Sequence, residues 1–374
     1  MATATYRFQA WKHVRAYVWF VVGVVLVVVV ISRLSWHDYA ELRDGRQGRV
    51  LAVSVASHTV TVQLDGVPVQ VAAGAIAVLK PGVRNLLRQA NGQFLLGAIL
   101  LACPIPFLCA VRVRLLLHGL DVSISGARIV AVCLLGQVVN ATALGSAGGD
   151  LYRAVALCQD RENWHRTLAG LIADRVIGVV VLVTLTAFGA CWYMQHPILG
   201  ALAQWTVGVW LSGVVMVLLG FWVHFHQWLE HWERKRLGHR WETKWALLRD
   251  ISQVLHNRTV LVKVLWLSVA VQVLNLGAMT CIGYAFGFDY ALEASVLVMP
   301  LAALLSVVIP TPQGLGVLEG MLVVVLASTA SGGANMCLLF ALGVRLLRLV
   351  WALPGVVLLG TKYRLCTPSK AVMR

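Results

Sequence analysis

The chain has 374 residues, of which 59% are hydrophobic and only 13% charged, with a mean hydropathy of +0.78; soluble domains carry about twice that share of charge, so composition excludes an ordinary water-soluble protein. The formal net charge of +15 sits mostly in connections between apolar runs, where Lys and Arg set orientation and meet anionic head groups. No basic soluble domain is available to bind nucleic acid.

A basic start (Arg7, Lys12, Arg15) leads into an uncharged, Val-rich run at 16–32 with no small-residue cleavage site behind it, which reads as a retained signal-anchor helix within an N-terminal segment 1–34. The texture then changes. Residues 49–72 are rich in β-branched side chains and carry an Asp65-Gly66 hairpin signal, so 35–92 reads as a small β-rich insert outside the bilayer. From residue 94 the apolar runs return, at 94–111, 129–144, 167–192, 201–225, 264–286, 291–309, 317–330 and 336–360. A bilayer-spanning helix needs about 20 apolar residues, and several of these runs are too short or too interrupted to be simple spans.

Charge in the connections orients them. The segment 227–263 holds Arg234, Lys235, Arg236, Arg240, Lys244, Arg249 and Arg258, whereas the loops near His196, Asp289 and Gly332 hold no Lys or Arg, so the basic segment is expected to be cytoplasmic. The N-terminus and the tail 363–374 join it. Arg33, Arg43, Arg46, Arg49, Lys80, Arg84 and Arg88 run against this scheme, since it places them outside. With these constraints 129–144 enters and leaves on the cytoplasmic side, and 291–330 on the outer side as a re-entrant hairpin or two short spans. The fold expected is an all-α polytopic membrane domain over 93–362, an inverted-repeat bundle with re-entrant or broken helices.

Two segments carry the chemistry. One runs from Asn140 through Gly148, Gly149 and Asp150 to Arg153, the other from Ile309 through Gly314 and Gly316 to Glu319. Each is an apolar run broken by Gly, Pro or small polar residues and followed by a carboxylate, at corresponding places in the two halves, which is the pattern of an inverted-repeat transporter. A break at membrane depth survives only when buried in protein or lining a wet cavity. Broken-helix N-termini offer partial positive charge, and a phosphate-bearing lipid head group is the natural ligand. The alternative is that these glycines belong to surface loops and caps.

Charges within apolar runs are the second signal, because each costs roughly 2.5–3.5 kcal/mol at mid-helix. Asp174 and Arg175 lie early in one span, Arg112 and Arg114 close another, and Arg345 and Arg348 share one face of the last. Arg112, Arg114 and Asp174 read equally as snorkelling to the interface or as functional. A pairing of Glu319 with Arg345 or Arg348 satisfies both signs, as a gate, a head-group site or a helix clamp. His224, His226 and His231 with Trp222, Trp228 and Trp232 read as a surface-lying amphipathic stretch, not a metal site. The eight cysteines, Cys103, Cys109, Cys133, Cys191, Cys281 and Cys337 among them, show no CxxC or Cys/His ligand spacing and read as packing residues. No cofactor, P-loop or hydrolase motif is visible, so an enzyme is not expected.

At these residues the sequence resembles the lysylphosphatidylglycerol synthase transmembrane, flippase-like family. The features that match are Arg112-Val-Arg114-Leu-Leu, Gly136-Gln137 with Asn140, Gly148-Gly149-Asp150 with Arg153, Asp174-Arg175 with Gly178, Gly314-Leu-Gly316 with Glu319, and the Arg345/Arg348 helix, in family order across 94–360. The resemblance implies a prokaryotic cytoplasmic membrane and translocation or presentation of a phospholipid or other amphiphile. The β-rich insert departs from the pattern and is expected to bind a periplasmic partner or cell-wall polymer. The synthase's soluble transferase domain is not expected, so synthase activity is not carried over. The head group is then expected at Asn140, Gly148, Gly149, Asp150, Arg153, Asp174, Arg175, Gly314, Gly316, Glu319, Arg345 and Arg348. The competing expectation is an accessory subunit that docks a lipid- or glycan-modifying transferase through its basic segment.

Overall fold

The computed structural model describes residues 32, 35–54, 59–64, 66–140, 145–158, 164–196, 199–222, 250, 253, 256–308, 316–327 and 333–360. The expected signal-anchor run, the His/Trp stretch beyond Trp222, the cytoplasmic tail and Gly314 lie outside the described residues.

Alternation of β-branched and polar residues produces five strands, β1 (Tyr39–Leu42), β2 (Gln47–Ser54), β3 (Thr59–Leu64), β4 (Val67–Ala72) and β5 (Ile76–Lys80). They pair antiparallel in the order β4-β3-β2-β1-β5. The register sets Val60 against Val71 and Val62 against Val69, so one face is aliphatic, while Thr61, Gln63 and Gln70 fall on the other. Gly66, at φ +85°, closes the short turn between Leu64 and Val67. Ala40, Leu42, Val60, Val62 and Leu64 form the core of this sheet.

Polar contacts fix the ends of the sheet. Asp38 accepts from the Gly82 N–H at 2.6 Å and from Asn85 Nδ2 at 3.2 Å, which satisfies a free amide at the start of helix α1 (Val83–Arg88). Asn335 accepts from the Ser35 N–H at 3.0 Å and donates to the Pro81 carbonyl at 3.3 Å, holding both ends of the β segment. Lys80 donates to Glu41 at 2.8 Å and holds that carboxyl below its ordinary range. Arg46 does the same for Asp44.

The other described residues are mainly helical: α2 (Gly92–Ala102), α3 (Ile105–His118), α4 (Gly126–Asn140), α5 (Gly145–Leu157), α6 (Trp164–Trp192), α7 (Gly200–Trp222), α8 (Arg258–Ala285), α9 (Met299–Val308), α10 (Val317–Leu326) and α11 (Gly333–Gly360). A single turn, Ala291–Glu293, and a π-helical stretch, Ala294–Val298, precede α9. Among the described residues, four stretches are long and apolar enough to cross a membrane, Gly92–His118, Trp164–Trp192, Arg258–Ala285 and Gly333–Leu359. Apolar residues face outward along them: Phe188 is 81% exposed and Trp266 72%. Such surface is stable in lipid and not in water.

The chain divides into two compact units. One comprises 1–100 and 276–348, and so holds the sheet, α9, α10 and most of α11. Its helical core includes Phe288 and Phe340, with ring centroids 5.2 Å apart. The other comprises 101–275 and 349–374. There Leu116, Leu117, Ile129, Val132, Ala169 and Val264 pack in one buried cluster.

Candidate functional site

Both glycine breaks are bounded by described helices, and each has a carboxylate bound to arginine. In the second unit, α4 ends at Asn140 and α5 begins at Gly145. Asn140 Oδ1 accepts from the Gly149 N–H at 2.9 Å, which ties the end of α4 to the second turn of α5. A side chain at Gly149 would collide with Asn140 and with the Gly136 carbonyl, so α4 and α5 approach here as only glycine allows.

Asp150, one residue on, pairs with two arginines. Arg153 Nη1 lies 3.6 Å from its carboxylate, and Arg175 Nη2 donates to the same oxygen. The two cations differ in exposure: the Arg153 side chain is 6% exposed and that of Arg175 50%. Arg153 covers Gly136 and donates to the Cys133 carbonyl at 3.4 Å, while its Nε is buried with no hydrogen-bond partner among the described residues. One carboxylate against two guanidinium groups leaves a net positive charge that is partly open.

Asp174 has another fate. Its carboxylate accepts from Arg112 Nε at 2.6 Å and Nη2 at 3.0 Å, and Arg112 Nη1 donates to Ser268 Oγ at 3.1 Å. Arg112, Asp174 and Ser268 are all buried, so neither charge snorkels to an interface, and the pair joins α3, α6 and α8. Charges on adjacent residues of a helix point about 100° apart, which lets Asp174 turn into the bundle while Arg175 reaches Asp150. Arg114, by contrast, is exposed.

In the first unit Gly316, at φ +82°, precedes α10. Its N–H donates to Glu319 Oε2 at 2.9 Å. Glu319 also accepts from Arg345 Nε at 2.6 Å and Nη2 at 3.0 Å, so of the two pairings open from the sequence the bidentate one belongs to Arg345. Arg348, one turn along α11, is half-buried and within electrostatic reach of Glu319 and Arg345. No hydrogen bond from its guanidinium is found among the described residues. This group too is one carboxylate with two arginines.

Ser268 and the role of Arg112 are what the sequence concealed. Opposite signs in two apolar runs signalled that Arg112 and Asp174 needed partners, but 62 residues separate them and nothing local fixes the choice. Ser268 gives no sequence signal at all. Among the described residues no group of three His, Cys, Asp or Glu side chains is placed to hold a metal ion.

Long apolar helices with lipid-exposed faces and buried, paired charges define a multi-pass helical membrane protein. The family model described as the lysylphosphatidylglycerol synthase TM region matches residues 63–355. The chain belongs to that family. The match begins within β3, so it includes the later strands as well as the helices. A UPF0104 membrane protein of Methanothermobacter thermautotrophicus is 23% identical over 283 residues, covering 67% of this chain and 80% of that protein.

Proposed function

We propose that the protein is a flippase-like transporter of the cytoplasmic membrane, which translocates or presents a phospholipid or another amphiphile with an anionic head group. The observation that carries this reading is the charge set at the two breaks. Asp150 with Arg153 and Arg175, and Glu319 with Arg345 and Arg348, each leave one positive charge beside a glycine break. An arginine hydrogen-bonded to each carboxylate follows it by 25 and 26 residues respectively, Arg175 after Asp150 and Arg345 after Glu319, a correspondence that supports an internal repeat. The short helices support re-entrant segments: α4 has 15 residues, about 22 Å at 1.5 Å per residue, against a hydrocarbon core of about 30 Å. Head groups would be drawn to Arg175 and Arg348 while acyl chains stay in the bilayer. Asp150 and Glu319 would orient the arginines, and no metal or nucleotide enters the scheme.

The test is fluorescent-lipid scrambling by the full chain in proteoliposomes, across neutral, anionic and cationic head groups. Arg175→Gln and Arg348→Gln should each lower the rate by about tenfold, the loss of roughly one charge-assisted hydrogen bond, with the thermal midpoint little changed. Arg345→Gln should lower the midpoint as well, because it strands Glu319. Rates unchanged in the first two variants would refute the site. Folded protein inactive toward every head group, yet retaining a transferase on co-purification, would favour the accessory-subunit reading instead.

A further inference from the structure

The β sheet carries a feature that the transport reading does not use. Its aliphatic face borders an open hollow of about 580 Å³, within the size range of small-ligand sites. The floor and walls are Leu42, Leu64, Val67, Val69, Val71 and Ala75. At one rim stands the turn between β1 and β2, with Arg43, Asp44 and Arg46. Arg46 is committed to Asp44 at 2.6 Å. The Arg43 side chain is exposed and makes no hydrogen bond or ion pair among the described residues, so the rim has one uncompensated cation. That rim lies at the end of β1 opposite the one where Ser35 and Pro81 are held by Asn335.

Val67 is 60% exposed and Val69 39%, although both fall on the face that holds the sheet's core. A soluble surface would place polar residues there, and the opposite face of the same strands does so with Thr61, Gln63 and Gln70. An aliphatic hollow under a single free guanidinium matches a molecule with a hydrocarbon chain and one anionic end. We propose that this hollow binds the acyl chain of an anionic amphiphile, with the carboxylate or phosphate end at Arg43. It shares no residue with the glycine breaks, so it stands or falls apart from the transport reading.

The experiment uses the full chain in phosphatidylcholine nanodiscs and a sixteen-carbon fatty acid carrying a mid-chain diazirine, with cross-links mapped by mass spectrometry. Cross-links should concentrate on residues 64–75, and excess palmitate should displace them. Val69→Asp should reduce labelling of the sheet at least fivefold and Arg43→Glu at least threefold, while the uncharged alcohol of the same chain should label less than a third as well as the acid. Val67→Asp changes the most exposed of the lining valines and serves as a second probe if Val69→Asp disturbs the fold. Sheet labelling that is absent, or unchanged in Arg43→Glu and Val67→Asp, overturns the proposal. So does displacement by an apolar peptide but not by palmitate.

Discussion

Asp174 and Arg175 are adjacent, yet one is locked to Arg112 in the interior and the other reaches a half-exposed Asp150. The difference decides what each can do. A carboxylate accepting two hydrogen bonds from one guanidinium, with a third N–H donated to Ser268, is a well-bonded pair that clamps three helices. Removing one member leaves a buried charge without a partner. Arg112→Ala should therefore destabilise the protein by about 3–5 kcal/mol, whereas the double change Arg112→Met/Asp174→Leu should recover most of that loss. Thermal unfolding in matched detergent, followed by intrinsic fluorescence, measures both. If the double variant were no more stable than the single one, the clamp would be contributing more than charge compensation.

Among elements, the α4/α5 turn and the β sheet each depend on a local constraint that can be tested. The contact of Gly136 with Gly149 lets two helices meet backbone to backbone, and Gly149→Ala should cost about 1–3 kcal/mol through overpacking. The same stability measurement reports it, with Gly208→Ala, where added volume meets nothing, as the control. In the sheet, Lys80 lowers the Glu41 pKa below its ordinary 4.5. A depressed carboxylate stabilises the folded state above its unfolded pKa and ceases to do so as pH falls through the folded value. Hydrogen exchange of β1 and β5 should accordingly quicken below pH 4.5, relative to the intrinsic rate, and Glu41→Gln should flatten that dependence. An unchanged profile in the variant would show that another group carries the acid response.

At the scale of the whole molecule, lipid is the solvent against which the helices are built. Phe188 is 81% exposed on α6, a helix of 29 residues with no charged residue beyond Arg175. An arginine there would place a charge in hydrocarbon, at a cost that reaches roughly 2.5–3.5 kcal/mol at the helix centre and is smaller this near the end of α6. Phe188→Arg should thus reduce membrane insertion in a glycosylation-mapping assay, and Val181→Ala, a buried position on the same helix, should leave insertion intact while lowering stability. Equal insertion of Phe188→Arg and the native chain would place that face against protein.

The amino-acid sequence by itself determined the class of protein. Runs of uncharged residues long enough to span hydrocarbon, with alternating β-branched residues at 49–72, have few other physical solutions, and most described helices and strands overlap them, whereas β1, β5, α1 and α5 lie outside. The family was legible as well, because its glycines and carboxylates recur in order. The partners of the charges were not. Arg112 could have satisfied its charge at an interface or with any buried carboxylate, and only the packing of α3 against α6 brings it to Asp174. Glu319 had two arginines within one helical turn to choose from, and the approach of α10 to α11 gave the bidentate pair to Arg345 and left Arg348 outside it. The hollow beside β4 arose likewise from bringing the β1–β2 turn, Leu64 and Ala75 to one place, which no local pattern encodes. Period and composition are properties of contiguous residues, whereas charge pairing and concavity depend on groups that meet only after the chain has folded.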